Sequence, residues 1–105
     1  MTDIDIYIED AGTFTIDGNT WTVCYYGEVT FNVQREAVDN HGGWDVYDDV
    51  YYYEGFNPDN VSAEDGDNEI VDGHIHHDAA VAAFKKWIDE GGAGVLEQQA
   101  TEKGW

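Results

Sequence analysis

The chain predicts an α+β fold: an antiparallel β-sheet of four to five strands in a meander, with one C-terminal amphipathic helix on one face and a short second helix after it. Three observations carry this. Apolar and polar residues alternate over much of residues 3–56, the period of half-buried strands. From residue 78 the apolar spacing changes to three and four residues, the period of a helix. Strands first and helix last, with no internal repeat, is the order of an α+β domain. At 105 residues the chain has the size of one domain, 1–105.

Residues 3–9, DIDIYIE, place Ile4, Ile6 and Ile8 on one face and Asp3, Asp5, Tyr7 and Glu9 on the other, so they form a strand with an acidic outer face. Phe14 and Ile16 alternate with threonines up to Asp17-Gly18-Asn19. These three residues tolerate the positive φ of a tight hairpin. Trp21, Val23 and Tyr25 then alternate with Thr22, Cys24 and Tyr26, and a break at Gly27-Glu28 leads into a further strand through Val29, Phe31 and Val33. Residues 34–43, QREAVDNHGG, read as a turn. WDVYDDVYYYEGF, residues 44–56, reads as a long strand. Trp44, Val46, Val50 and Tyr52 would serve the core while Asp45, Tyr47, Asp49, Tyr51 and Tyr53 face outward. Asp48 falls on the apolar side, which predicts a bulge or an edge position there.

Residues 55–68, with the only proline and four acidic residues, read as an exposed loop, and Glu69–Val71 as a short strand. Asp78 is placed to cap a helix by accepting from its first free amides. Ala80, Val81, Phe84, Trp87 and Ile88 form its apolar stripe, Gly91-Gly92 ends it, and residues 93–102 form the second helix with Val95 and Leu96 docking.

Charge is the dominant functional signal. Twenty-three acidic residues stand against four basic ones, a formal net charge of −19. Direct binding to nucleic acid is disfavoured, because phosphates are neutralised by Lys and Arg, and an anionic membrane surface would repel the chain. A basic partner is the complement. The single cysteine, Cys24, excludes an intramolecular disulfide, fits a reducing compartment and reads as a small buried hydrophobe. The N-terminus lacks the basic flank and apolar run of a signal peptide, which predicts a cytoplasmic protein.

The cluster DGHIHHD, residues 72–78, is the best metal candidate. If extended, it would project Asp72, His74, His76 and Asp78 from one face, although their spacing matches no zinc framework. The Asp- and Gly-rich stretch 57–73 fits no EF-hand register. Ser62 is the only serine and lacks a G-x-S-x-G setting. No P-loop or dinucleotide fingerprint occurs. The reading is a non-enzyme with no cofactor, and no catalytic, cofactor-binding or metal residues are assigned.

Three explanations compete for the acid: a solvated exterior adapted to high salt, an immunity-type inhibitor of a basic nuclease toxin, and a mimic of nucleic acid. Mimicry needs carboxylates from several segments, because strand carboxylates recur every ~6.8 Å while duplex DNA carries one charge per roughly 1.7 Å of axis. The candidate partner-binding residues are Asp45, Tyr47, Asp48, Asp49, Tyr51, Tyr53 and Glu54 in the aromatic strand, followed by Asp59, Glu64, Asp65, Asp67, Glu69 and Asp72. The tyrosines would stack where bases normally bind.

In size, charge, absence of disulfides and absence of catalytic motifs, the whole chain resembles the small acidic anti-defence proteins of phages, the anti-CRISPR and anti-restriction DNA mimics. These share no motif, so no residue role carries over. The resemblance implies a monomer or homodimer in the cytoplasm of an infected bacterium. There it would occupy the basic nucleic-acid channel of a CRISPR effector or restriction enzyme.

Overall fold

One strand organises the sheet. β3, Asn19–Asp39, runs for 21 residues and pairs antiparallel with four others. The computed structural model describes residues 1–39 and 46–103, with the backbone alone for 37–39 and 46–48. β1 (Thr2–Ile8) and β2 (Thr13–Ile16) lie end to end along one edge of β3. β4 (Val46–Phe56) and β5 (Val61–Asp65) lie end to end along the other, and β6 (Asn68–Ile70) adds outside β5. The result is a six-stranded antiparallel sheet.

The β2–β3 hairpin closes through Asp17-Gly18, with Ile16 opposite Asn19. Both loop residues take positive φ, 50° and 83°, as a two-residue I′ hairpin requires. The break expected at Gly27-Glu28 is absent, and β3 passes straight through it. Gly27 serves a close contact instead: its φ is 153°, and a Cβ there would lie 2.2 Å from the Asn60 amide nitrogen. The turn expected over 34–43 is likewise strand up to Asp39; residues 40–43, with Trp44 and Asp45, lie outside the described residues.

Alternation along β1 and β3 buries Ile6, Ile8, Val23, Tyr25, Val29 and Phe31. α1 (His77–Trp87) and α2 (Ala93–Lys103) cover this inner face. Ala80 and Phe84 of α1, Ile88 after it, and Leu96 and Ala100 of α2 complete the core. Phe84 stacks on Tyr25 at 5.0 Å between ring centroids and meets Phe56 edge-on at 4.8 Å. Val95 is exposed, so Leu96 alone of the expected pair docks. The helices are separated by a wide turn over Ile88–Gly92, where Gly91 takes φ 120°. Position 76, not Asp78, caps α1; Asp78 sits in its first turn and Lys85 and Lys86 in its last, each suited to the helix dipole.

Two further expectations are corrected. Val61–Asp65 is a strand and not loop, with Val61 and Ala63 buried against β3. In β4, Tyr51 and Tyr53 pack against the core whereas Tyr52 is exposed, the reverse of the expected faces. Glu54 is the cause. The register passes from Thr30↔Gly55 to Phe31↔Tyr53, so Glu54 is an extra residue on β4. Counting back from inward-facing Phe56, that bulge exchanges the faces of the strand. A second irregularity falls between Ala37 and Asp39 of β3, while Asp48 itself pairs regularly with Glu36. Asp48 does occupy an edge strand, since β4 pairs with β3 alone among the described residues.

Candidate functional site

β1 pairing ends at Thr2↔Phe31, whereas β3 continues with β4 to Asp39↔Val46. The sheet therefore extends into a two-stranded arm, and the molecule measures 61 × 21 × 20 Å. Both helices lie on one side of the body. The opposite side of the sheet is the candidate surface.

Its geometry follows from the β1 and β3 alternation that fills the core. On β1 the outward residues are Asp3, Asp5 and Tyr7, which stand directly opposite Thr30, Glu28 and Tyr26 of β3. Thr22 faces Glu64 of β5, which in turn faces Glu69 of β6. Asp5 and Glu28 are thus directly opposed carboxylates, as are Glu64 and Glu69, and all four are exposed. Such pairs repel and weaken a sheet. The one basic residue in any strand among the described residues is Arg35, opposite Asp49 on the arm and on the other side by alternation.

Hydroxyls on this face hold carboxylates in place. Thr30 Oγ1 donates to Asp3 at 2.6 Å, and the Tyr52 hydroxyl reaches both oxygens of Glu36 at 2.8 Å. Glu36 accordingly pushes the Tyr52 hydroxyl's pKa up. Tyr7 and Tyr26 are exposed, with ring centroids 5.6 Å apart and planes at 74°. Glu9 raises the Tyr7 pKa, and burial adds to the shift. Cys24 is half-buried on this same face and not in the core; its Sγ donates to the Glu9 carbonyl at 3.2 Å.

The structure distributes the expected partner-binding residues unevenly. Glu64 and Glu69 lie on the open face. Asp59 is in the 3-10 turn Pro58–Asn60, Asp65 and Asp67 are at the β5–β6 hairpin, and Asp72 follows β6. Asp49 is exposed on the arm and Glu54 at the bulge. Tyr51 and Tyr53 are half-buried and turned toward the core: Tyr51 meets Phe31 edge-on at 6.1 Å, and burial raises the Tyr53 pKa. Tyr47 and Asp48 have described backbone only, and Asp45 lies outside the described residues. The residues missed are Tyr7, Tyr26, Glu28 and Glu36. Strict alternation from Ile4 and from Val23 marks the first three as outward.

The extended histidine arrangement is not formed. Residues 72–76 fold into successive turns. The His74 Nδ1 accepts from the His76 amide at 3.0 Å, and His77, 8% exposed, bonds the Val61 carbonyl through Nε2 at 2.8 Å. Among the described residues no group of three or more His, Cys, Asp or Glu side chains is placed to hold a metal ion, and no helix is long and apolar enough to cross a membrane.

The chain matches no protein-family model, no curated protein and no solved structure. The fold and the site together define a class: an α+β domain whose helices cover one sheet face and whose other face is acidic and studded with exposed tyrosines.

Proposed function

We propose that this protein is a non-enzymatic inhibitor that lays its open sheet face and arm against the basic nucleic-acid-binding surface of a defence complex, excluding target DNA. A CRISPR effector is the first partner class to test and a restriction enzyme the next. The observation that carries the reading is the opposition of Asp5 to Glu28 and of Glu64 to Glu69 across strands of one open face. A sheet selected for stability alone would alternate charges there. The repulsion within each pair is relieved when Lys and Arg of a partner arrive.

The distribution of charge supports it. Residues 1–76 contain 18 acidic residues and one basic residue, while residues 77–103 contain five acidic and three basic. The negative charge therefore belongs to the strands and their connections and not to the helices that cover the sheet. A field of this kind steers a basic partner and loses strength with salt.

Capture of host proteins on the immobilised chain tests the reading. The expected catch is a Lys/Arg-rich nucleic-acid-binding complex that duplex DNA displaces, and whose retention falls as salt rises from about 0.05 to 0.5 M. Retention unaffected by excess DNA and by salt would exclude charge mimicry.

A further inference from the structure

A cleft of about 360 Å³ on the open face is lined by Tyr7, Glu9, Cys24, Tyr26, Ser62 and Glu64. It lies where β1 ends and the chain leaves the β3 edge, so three strands contribute. Tyr7 and Tyr26 are a direct cross-strand pair, and their rings form a corner, 74° between planes. Tyr26 is 72% exposed and Tyr7 51%. An exposed pair of large rings on a sheet this polar is a feature that solvation does not explain. Glu9 accepts from the Tyr7 hydroxyl at 3.3 Å, which sets a carboxylate at the rim beside the ring. Among the described residues no basic side chain lines the cleft.

We infer that this cleft is the anchor pocket for one arginine side chain of the basic partner, an inference that rests on the function proposed above. A guanidinium is flat, so it stacks on an aromatic face while its N–H fork reaches carboxylates at the edge. The cleft offers both: ring faces from Tyr7 and Tyr26, and acceptors from Glu9, Glu64 and the Ser62 hydroxyl. An ammonium is compact and strongly hydrated and uses only the charge. The local field agrees with a cation site. The Cys24 thiol is pushed up first by burial, which disfavours any charge, and then by Glu64, Asp10, Glu9 and Glu69; only that second part, the field of the carboxylates, favours a cation.

The test uses the whole isolated chain and two probes, Nα-acetyl-arginine amide and Nα-acetyl-lysine amide, followed through the tyrosine ring resonances by NMR at low salt. The arginine probe is expected to shift Tyr7 and Tyr26 saturably while Tyr52, which lies outside the cleft, moves little; the lysine probe should bind at least about fivefold more weakly. Tyr26→Ala, at an exposed position that leaves the core intact, should weaken arginine binding by about fivefold, and Tyr26→Phe should keep it. Equal binding of the two probes, equal shifts at Tyr52, or an unaffected Tyr26→Ala would each overturn the pocket and leave only a diffuse acidic surface, with the proposed function intact. Arginine selectivity in a chain that captures no nucleic-acid-binding partner would support the pocket and overturn the function instead.

Discussion

If the opposed carboxylates are kept for binding, reversing one member of each pair should make the protein more stable and less active. Glu28→Lys and Glu69→Lys are the test, since Asp5 and Glu64 face them across the strands. Two unit charges about 6 Å apart interact by roughly 0.7 kcal/mol in water. A Debye length of about 8 Å reduces this to roughly 0.3 kcal/mol at physiological salt. Reversal replaces repulsion with attraction of similar size, a gain of about 0.6 kcal/mol per pair and roughly 1.2 kcal/mol for both, within the range of cross-strand pairs. For a domain of this length that corresponds to a rise in Tm of roughly 5–6 °C. Thermal unfolding followed by circular dichroism reads it directly. Glu102→Lys, exposed on α2, changes net charge equally without touching a pair and serves as the control. The reasoning fails if Glu28→Lys raises Tm no more than Glu102→Lys, or if its gain persists undiminished at about 1 M salt, where the Debye length is about 3 Å. The same double variant should bind the captured partner more weakly, with the loss concentrated in the association rate.

Other consequences can be measured on the fold itself. Gly27→Ala forces a Cβ to within 2.9 Å of the Asn60 Cβ and closer to its amide, so it should cost about 1–3 kcal/mol in urea unfolding, and Asn60→Gly in the same chain should restore part of it. Phe84→Ala, which removes a fully buried ring stacked on Tyr25, should cost about 3–5 kcal/mol. Burial raises the pKa of the Tyr25 hydroxyl. A folded-state pKa above the unfolded value gives stability that is present below about pH 10 and lost as pH climbs through the folded value. Stability should therefore fall on the alkaline side, and Tyr25→Phe should flatten that limb in a pH series of urea melts. Cys24, raised by burial and its carboxylate neighbours, should react with iodoacetamide more slowly than a free thiol at the same pH.

The parts of the fold that were legible are those written as unbroken alternation or helical spacing. Ile6, Ile8, Val23 and Tyr25 point inward as their spacing requires, and Phe84 and Ile88 hold the helix to the sheet. What was not legible depends on contacts between distant residues. Gly27 resembles a turn residue, and only its position under Asn60 shows why glycine is needed within a strand. Val61 and Ala63 are two apolar positions in an acid-rich segment, and pairing to β3 turns them into core. Alternation alone assigns the faces of β4 the wrong way round, because both carry aromatics and a single bulged residue, Glu54, decides between them. For the candidate surface, the acidic content was plain, but the particular tyrosines were not. Tyr52 is the exposed ring while Tyr51 and Tyr53 are half-buried, and Tyr7 and Tyr26 meet only because β1 and β3 pair in this register.

That register also bears on why the chain is acidic at all. A coat that serves solvation gains most from carboxylates spread over the whole exterior, each far from the next. Here the helical segment is almost balanced, with five acidic and three basic residues over 77–103. The sheet, by contrast, brings Asp5 to Glu28 and Glu64 to Glu69. Placing like charges opposite one another adds little hydration and weakens the fold, so solvation alone does not account for it. The partner proposed above, bearing closely spaced cations, would account for it, because its charges would convert each repulsive pair into an attractive set at the moment of binding. The same logic separates the two readings in dilute buffer: a protein dependent on high salt unfolds when salt is removed, whereas a mimic loses only the kcal/mol or so stored in its pairs and stays folded. A cooperative melt at low salt, with Tm rising modestly as salt is added, is the outcome this arrangement of charges requires.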